Sequence, residues 1–253
     1  MRSEVDSTGQ PGSPRAAFPR LLVSVRSAEE AREALAGGAG IIDIKEPADG
    51  SLGAAVPGVR AEIAREVADE APLTAALGEL QALGSEWALE HHRGISLYKL
   101  GLSETRQSDW RAMLDEARIR IREGSEGEAE LVVVAYADCR RAVSPDPASL
   151  LDYAIDHGFS HFLVDTFDKT AGGLSEFFRW GELGELCERA RAGGLCFVAA
   201  GSLGAEQLGA AAAAGVDVIA VRGAATAGVR TAAIDGQAVS GLIAGIRSAL
   251  SPG

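Results

Sequence analysis

The chain is 253 residues long, 47% hydrophobic, and carries a formal net charge of −12. That acidity argues against nucleic acid or an anionic membrane as a partner, since both are recognised through basic patches, and the length suffices for a single large core. Of its 24 basic residues only Lys45, Lys99 and Lys169 are lysines; the sequence thus retains an amine at three places, and a guanidinium, which stays charged, cannot replace an amine in attack on a carbonyl.

Residues 1–19 are rich in Ser, Gly, Pro and charge and contain no apolar stretch of signal-peptide length, so a disordered N-terminal extension is expected. No later run approaches bilayer-spanning length, and a cytoplasmic protein is expected. Short apolar runs of β type then recur at Leu21–Val25, Ile41–Lys45, Leu73–Ala76, Ser96–Leu100, Leu131–Tyr136, His161–Asp165, Cys196–Ala200 and Val218–Val221. Between them lie stretches of helical period, Ala28–Ala36, Val59–Glu66, Trp110–Arg122, Ala148–His157, Glu182–Ala192 and Ala205–Ala214, and Gln237–Ala249 closes the chain. A less regular helical stretch is expected around Leu80–His92. Eight alternations fit an α/β fold of the (β/α)8 or TIM-barrel type, a single catalytic domain over residues 20–253. Pro72 and Gly78, which bracket the third run, leave an open seven-stranded sheet as the competing arrangement. Cys139, Cys187 and Cys196 lack metal-ligand spacing and read as buried free thiols. His91, His92, His157 and His161 make no such spacing with a nearby acid either, so no metal site is expected.

Barrel active sites form at the C-terminal ends of the strands, where side chains two apart share a face. Asp43 and Lys45 meet both conditions, and they read as an ion pair flanked by isoleucines. Lys99 holds the equivalent place on the fourth run, Asp165 ends the sixth, and Lys169 follows in a Gly-containing loop. Each has a structural alternative: a salt bridge at the barrel mouth, a solvated strand end, a plain loop lysine. All three lysines at strand ends favour a common cavity. There, mutual repulsion of ammonium groups should push one pKa toward neutrality and activate it for imine formation. Charge arguments alone do not say which.

The last two strands run into Gly201-Ser202-Leu203-Gly204 and Arg222-Gly223-Ala224-Ala225, the two loops with which barrels often hold phosphate through backbone N–H groups. Gly201, Ser202, Gly223 and Ala224 are candidate phosphate contacts, and Arg222 would add a charged fork. The loop Glu46–Gly53 covers the mouth as a lid or contacts a second anion through Ser51.

At these residues the chain resembles a known family. The segments Gly38-Ala39-Gly40-Ile41-Ile42-Asp43-Ile44-Lys45-Glu46-Pro47 and Gly50-Ser51-Leu52-Gly53-Ala54 are similar to those of the (5-formylfuran-3-yl)methyl phosphate synthases of methanofuran biosynthesis. So are Lys99-Leu100-Gly101-Leu102, Ala135-Tyr136-Ala137-Asp138, Asp165-Thr166 with Lys169, Ala200-Gly201-Ser202 and Val221-Arg222-Gly223-Ala224-Ala225. The resemblance implies condensation of two glyceraldehyde 3-phosphate molecules to a phosphorylated furan aldehyde with loss of phosphate and water. It implies that Lys45 is the Schiff-base lysine and Lys99 the proton-transfer lysine, with Asp43 and Lys169 in support. Asp165 would bind hydroxyls or assist a dehydration. No cofactor is implied. The expected partner is a small phosphorylated triose, and a homo-oligomer is expected. The loop Thr226-Ala227-Gly228-Val229-Arg230 looks individual to this chain. Two other functions fit the residues: a class I aldolase acting on phosphorylated sugars, and a non-catalytic barrel that binds a phosphorylated ligand.

Overall fold

A computed structural model describes residues 18–84, 86–226 and 229–251. The expected N-terminal extension falls, up to residue 17, outside the described residues. Eight parallel strands pair in sequence order and the eighth pairs back onto the first, closing the barrel. They are β1 (Arg20–Val25), β2 (Ile41–Ile44), β3 (Leu73–Glu79), β4 (Ile95–Gly101), β5 (Glu130–Tyr136), β6 (His161–Asp165), β7 (Cys196–Ala199) and β8 (Val218–Val221). The open seven-stranded alternative is thereby excluded.

Side chains alternate between two apolar clusters. Leu22, Ile41, Ala76, Val132, Val134, Leu163, Val198, Val218 and Ala220 fill the barrel interior, while Val23, Ile42, Ile44, Tyr98, Phe162 and Phe197 pack outward against the helices. The same period of two sends Ser24, Asp43, Thr74, Lys99 and Asp165 inward at the upper ends of their strands, where apolar packing gives way to a cavity. At ~25 cal/mol per Å² of apolar surface removed from water, these two layers supply the dominant stabilising term.

The helices are α1 (Ala28–Ala36), α2 (Pro57–Val67), α3 (Trp110–Gly124), α4 (Pro147–Asp156), α5 (Leu174–Phe177), α6 (Trp180–Ala192), α7 (Leu208–Ala213) and α8 (Gly236–Leu250). Local chemistry starts several of them. Ser27 accepts a hydrogen bond from the Glu30 N–H, Asp146 from the Ser149 N–H and Asp235 from the Gln237 N–H, so each satisfies a donor that the first helical turn leaves open. Pro57 and Pro147 sit in the first turn, where the missing N–H costs nothing. No helix among the described residues is long and apolar enough to cross a membrane.

Two expectations fail here. After β3 the chain makes a single 3-10 turn, Leu80–Ala82, and no helix follows among the described residues up to β4. Gly84 and Gly94 adopt φ of +73° and +93°, and Leu83, Trp87 and Leu89 pack singly onto the core. The Arg120 guanidinium of α3 reaches over the Trp87 ring and bonds its carbonyl, so side-chain anchoring replaces a helix. The thiols are unbridged, but only Cys187 is buried; Cys139 and Cys196 are half-buried.

Candidate active site

Asp43 is fixed first by the strands themselves. Its register partners on either side, Ser24 of β1 and Thr74 of β3, both donate hydroxyl protons to its carboxylate, at 2.9 and 2.8 Å. Lys99, from β4, completes the set with an ion pair to Oδ1. The expected pair Asp43–Lys45 is therefore corrected: side chains two apart on one strand stand side by side, and the carboxylate turns instead to the amine reaching in from β4.

Across the barrel, Asp165 at the end of β6 makes a second ion pair, with Lys169 four residues on. It also accepts from the Thr166 N–H at 2.8 Å. The Ser51 hydroxyl lies 2.8 Å from both Asp165 Oδ2 and the Thr166 carbonyl oxygen, and with one proton it donates to one of them at a time. That corrects the reading of Ser51 as an anion contact. It ties the loop after β2 to β6 and holds Asp165.

Lys45 sits between these pairs. Just past the end of β2, its backbone N–H still continues the ladder, donating to Val25 O at 3.0 Å. Its side chain is buried, at 8% exposure, and among the described residues it is the one lysine without a carboxylate in an ion pair. Burial lowers its pKa to about 7; Asp165 and Asp43 oppose that shift, while Lys169 and Lys99 add to it. Desolvation thus exceeds the mutual repulsion anticipated from the sequence. Burial would raise the Asp165 carboxyl, but Lys169, Lys45 and the hydrogen bonds outweigh it and hold the group at about 2. Burial also lowers the Lys169 amine, against the pull of Asp165.

Ser24, Asp43, Lys45, Lys99, Asp165 and Lys169 line a cavity of about 460 Å³ at the C-terminal ends of the strands. Its upper wall includes Gly201, Ser202, Gly223 and Ala224. Ser202 adopts φ +52° and Gly201 φ +108°, and a left-handed serine costs of order 1 kcal/mol, which surrounding structure must sustain. Among the described residues the backbone N–H groups of Ser202, Gly223 and Ala224 have no protein acceptor.

Arg222 is a correction. Nε donates to Arg230 O at 2.7 Å, Nη1 to Ser24 O and Glu30 Oε2 at 2.8 Å each, and Nη2 to Glu30 Oε1 and Ala232 O at 3.1 Å each. All five N–H donors of a guanidinium are thereby used. Glu30, buried on α1, neutralises its charge, so Arg222 closes the barrel between its last strand and its first helix and offers a phosphate only the backbone beside it. The sequence reading assigns no site role to Ser24, Thr74 or Thr166. A hydroxyl at an inward position of an otherwise apolar run was the available signal.

Comparison with known proteins adds relatives. The model of the 4-HFC-P synthase family matches residues 21–243. The chain is 34% identical over 213 residues to the (5-formylfuran-3-yl)methyl phosphate synthase of Methanopyrus kandleri, covering 81% of this chain and 88% of that one. It is 33% identical over 209 residues to the protein of the same name from Methanothermobacter thermautotrophicus, covering 80% and 87%. Among solved structures, phosphoribosyl anthranilate isomerase from Thermotoga maritima superposes with a TM-score of 0.61 at 15% identity, over 91% of this chain and 100% of that one. Thiamine phosphate pyrophosphorylase from Pyrococcus furiosus does so at 0.59 and 15%, over 93% and 98%. At such identity they share the barrel fold alone.

Proposed function

The chain belongs to the 4-HFC-P synthase family, and we propose that it makes (5-formylfuran-3-yl)methyl phosphate for methanofuran biosynthesis by condensing two molecules of glyceraldehyde 3-phosphate through an imine on Lys45. One observation carries this reading. Lys45 is buried in the cavity with no carboxylate partner among the described residues, its pKa lowered to about 7, whereas Lys99 and Lys169 are each held in an ion pair. An amine must be unprotonated to attack a carbonyl, and Lys45 meets that requirement near neutral pH without a base to deprotonate it.

In the reaction the Lys45 amine adds to the aldehyde of one triose and water leaves, giving an iminium. The iminium withdraws electrons from the adjacent carbon, and the Asp43–Lys99 pair takes up its proton. The resulting enamine attacks the aldehyde of a second triose, forming the C–C bond. Elimination of one phosphate, ring closure and dehydration yield the furan, whose aromaticity draws the sequence forward, and cleavage of the imine C–N bond returns Lys45 as the free amine. The Asp165–Lys169 pair, on the opposite wall, delivers protons to departing oxygens. Unpaired N–H groups in the loops after β7 and β8 receive phosphoryl oxygens.

Borohydride added with glyceraldehyde 3-phosphate is expected to fix the triose on Lys45, read by peptide mass, at a rate that climbs as pH passes about 7. Lys45→Arg, which keeps the charge but cannot form the imine, is expected to give no adduct and no ultraviolet-absorbing furan aldehyde. An active Lys45→Arg variant overturns the assignment. Reversible cleavage to two carbonyl fragments would identify an aldolase instead, and tight binding without an adduct a sensor.

A further inference from the structure

With Arg222 saturated by protein acceptors and Lys99 and Lys169 held by carboxylates, the charge that receives an anionic substituent must come from elsewhere in the cavity wall. Arg230 supplies it. Its carbonyl oxygen accepts from Arg222 Nε at 2.7 Å, so the buried guanidinium of one arginine fixes the backbone of the other at the rim. The Arg230 side chain is half-buried and lines the cavity. Asp165, Lys169 and Arg222 are near enough for their charges and that of Arg230 to act on one another. Nη2 donates to the Gly50 carbonyl at 2.8 Å. Among the described residues Nε and Nη1 have no acceptor, and Arg230 has no carboxylate within ion-pair distance. Whichever Nη2 hydrogen Gly50 takes, one two-donor edge of the planar guanidinium stays open.

We propose that Arg230 is a phosphate-binding residue of this site, its open edge taking the phosphoryl group of the bound triose together with the unpaired N–H groups of Ser202 and Ala224. The inference rests on the phosphorylated-aldehyde reading above and adds to it a residue that neither the strand-end pattern nor the family resemblance assigns. A bidentate, charge-assisted contact fits a phosphate monoester better than a hydroxyl or a carbonyl. Through Nη2 the same side chain also bonds the loop that follows β2.

Borohydride trapping at Lys45 separates phosphate binding from imine chemistry when glyceraldehyde 3-phosphate is compared with unphosphorylated glyceraldehyde. Arg230→Met is expected to raise the concentration of the phosphorylated aldehyde needed for half-maximal trapping at least about tenfold, the loss of one charged hydrogen-bond pair, and to shift the glyceraldehyde dependence by a much smaller factor, the effect of losing the Gly50 contact alone. Arg230→Lys should recover part of the loss, since it restores charge without the fork. Calorimetric titration with inorganic phosphate should weaken in the same order. An unchanged dependence on the phosphorylated aldehyde, or an equal loss with both aldehydes, overturns the proposal. If the unmodified protein forms no adduct with either aldehyde, the imine reading fails, and the phosphate titration of protein and variants still decides the role of Arg230.

Discussion

Lys45, Lys99 and Lys169 share one cavity, yet burial acts on them differently because two have a carboxylate within reach. For Lys45 the consequence is thermodynamic as well as chemical. Its pKa is about 7 in the folded chain against 10.5 ordinarily. Between those values the unfolded chain binds a proton that the folded chain does not, so stability rises with pH across that window; below 7 the burial cost is present in full. Lys45→Met removes that cost. The variant is expected to be more stable than its parent at pH 6 by ~1–4 kcal/mol, as when packed apolar groups replace buried ionic ones, and the gain should shrink as pH rises through 7 toward 10.5. Urea denaturation at pH 6 and pH 9 checks it; a variant less stable at pH 6 would mean that attraction to Asp165 outweighs burial. Asp165 stabilises the fold where Lys45 costs it, and with the same pH slope. Its carboxyl is held at about 2, so its contribution is complete above the ordinary carboxylate range and is lost as pH falls through about 2.

The strands position the chemistry, and their alternation was open to inspection: Asp43 on β2, Lys45 just past its end, Lys99 on β4 and Asp165 on β6 all reach the cavity that the period of two assigns them. Pairing between elements was not legible. Asp43 turns to Lys99 because β2 and β4 curve round one cavity, a relation 56 residues apart in the chain. Arg222 shows the same limit, since an arginine after the eighth strand reads as a phosphate contact until α1 brings Glu30 to it. That pair joins the last strand to the first helix within the interior. Arg222→Met is expected to leave buried Glu30 with only the half-exposed Arg26 as an ionic partner and to cost ~2–4 kcal/mol in urea denaturation, less than the loss of a sole partner, whereas Arg222→Met with Glu30→Met should cost less. Equal losses would mean that the contacts of Arg222 with Ser24, Arg230 and Ala232 carry the effect.

The barrel closes around these pairs with one irregular wall. After β3 the described residues 83–84 and 86–94 pass to β4 without a helix, and the Ile95 N–H to His92 O bond, at 3.1 Å, is among the few backbone bonds made there. Hydrogen–deuterium exchange is expected to be at least ~100-fold faster across residues 86–94 than in β2 or β5, because open amides exchange without global unfolding. Protection equal to the strands would point to an additional partner covering that wall. The repeat of apolar runs pointed to eight strands, with an open seven-stranded sheet as the alternative, and to the strand ends at or near which three lysines gather, because these follow from a local period of two and from the rarity of lysine. Which amine loses its proton, which arginine is spent on the scaffold and which remains open to an anion were decided only by the tertiary structure. Desolvation and hydrogen-bond saturation depend on neighbours that closure of the barrel brings together from far along the chain.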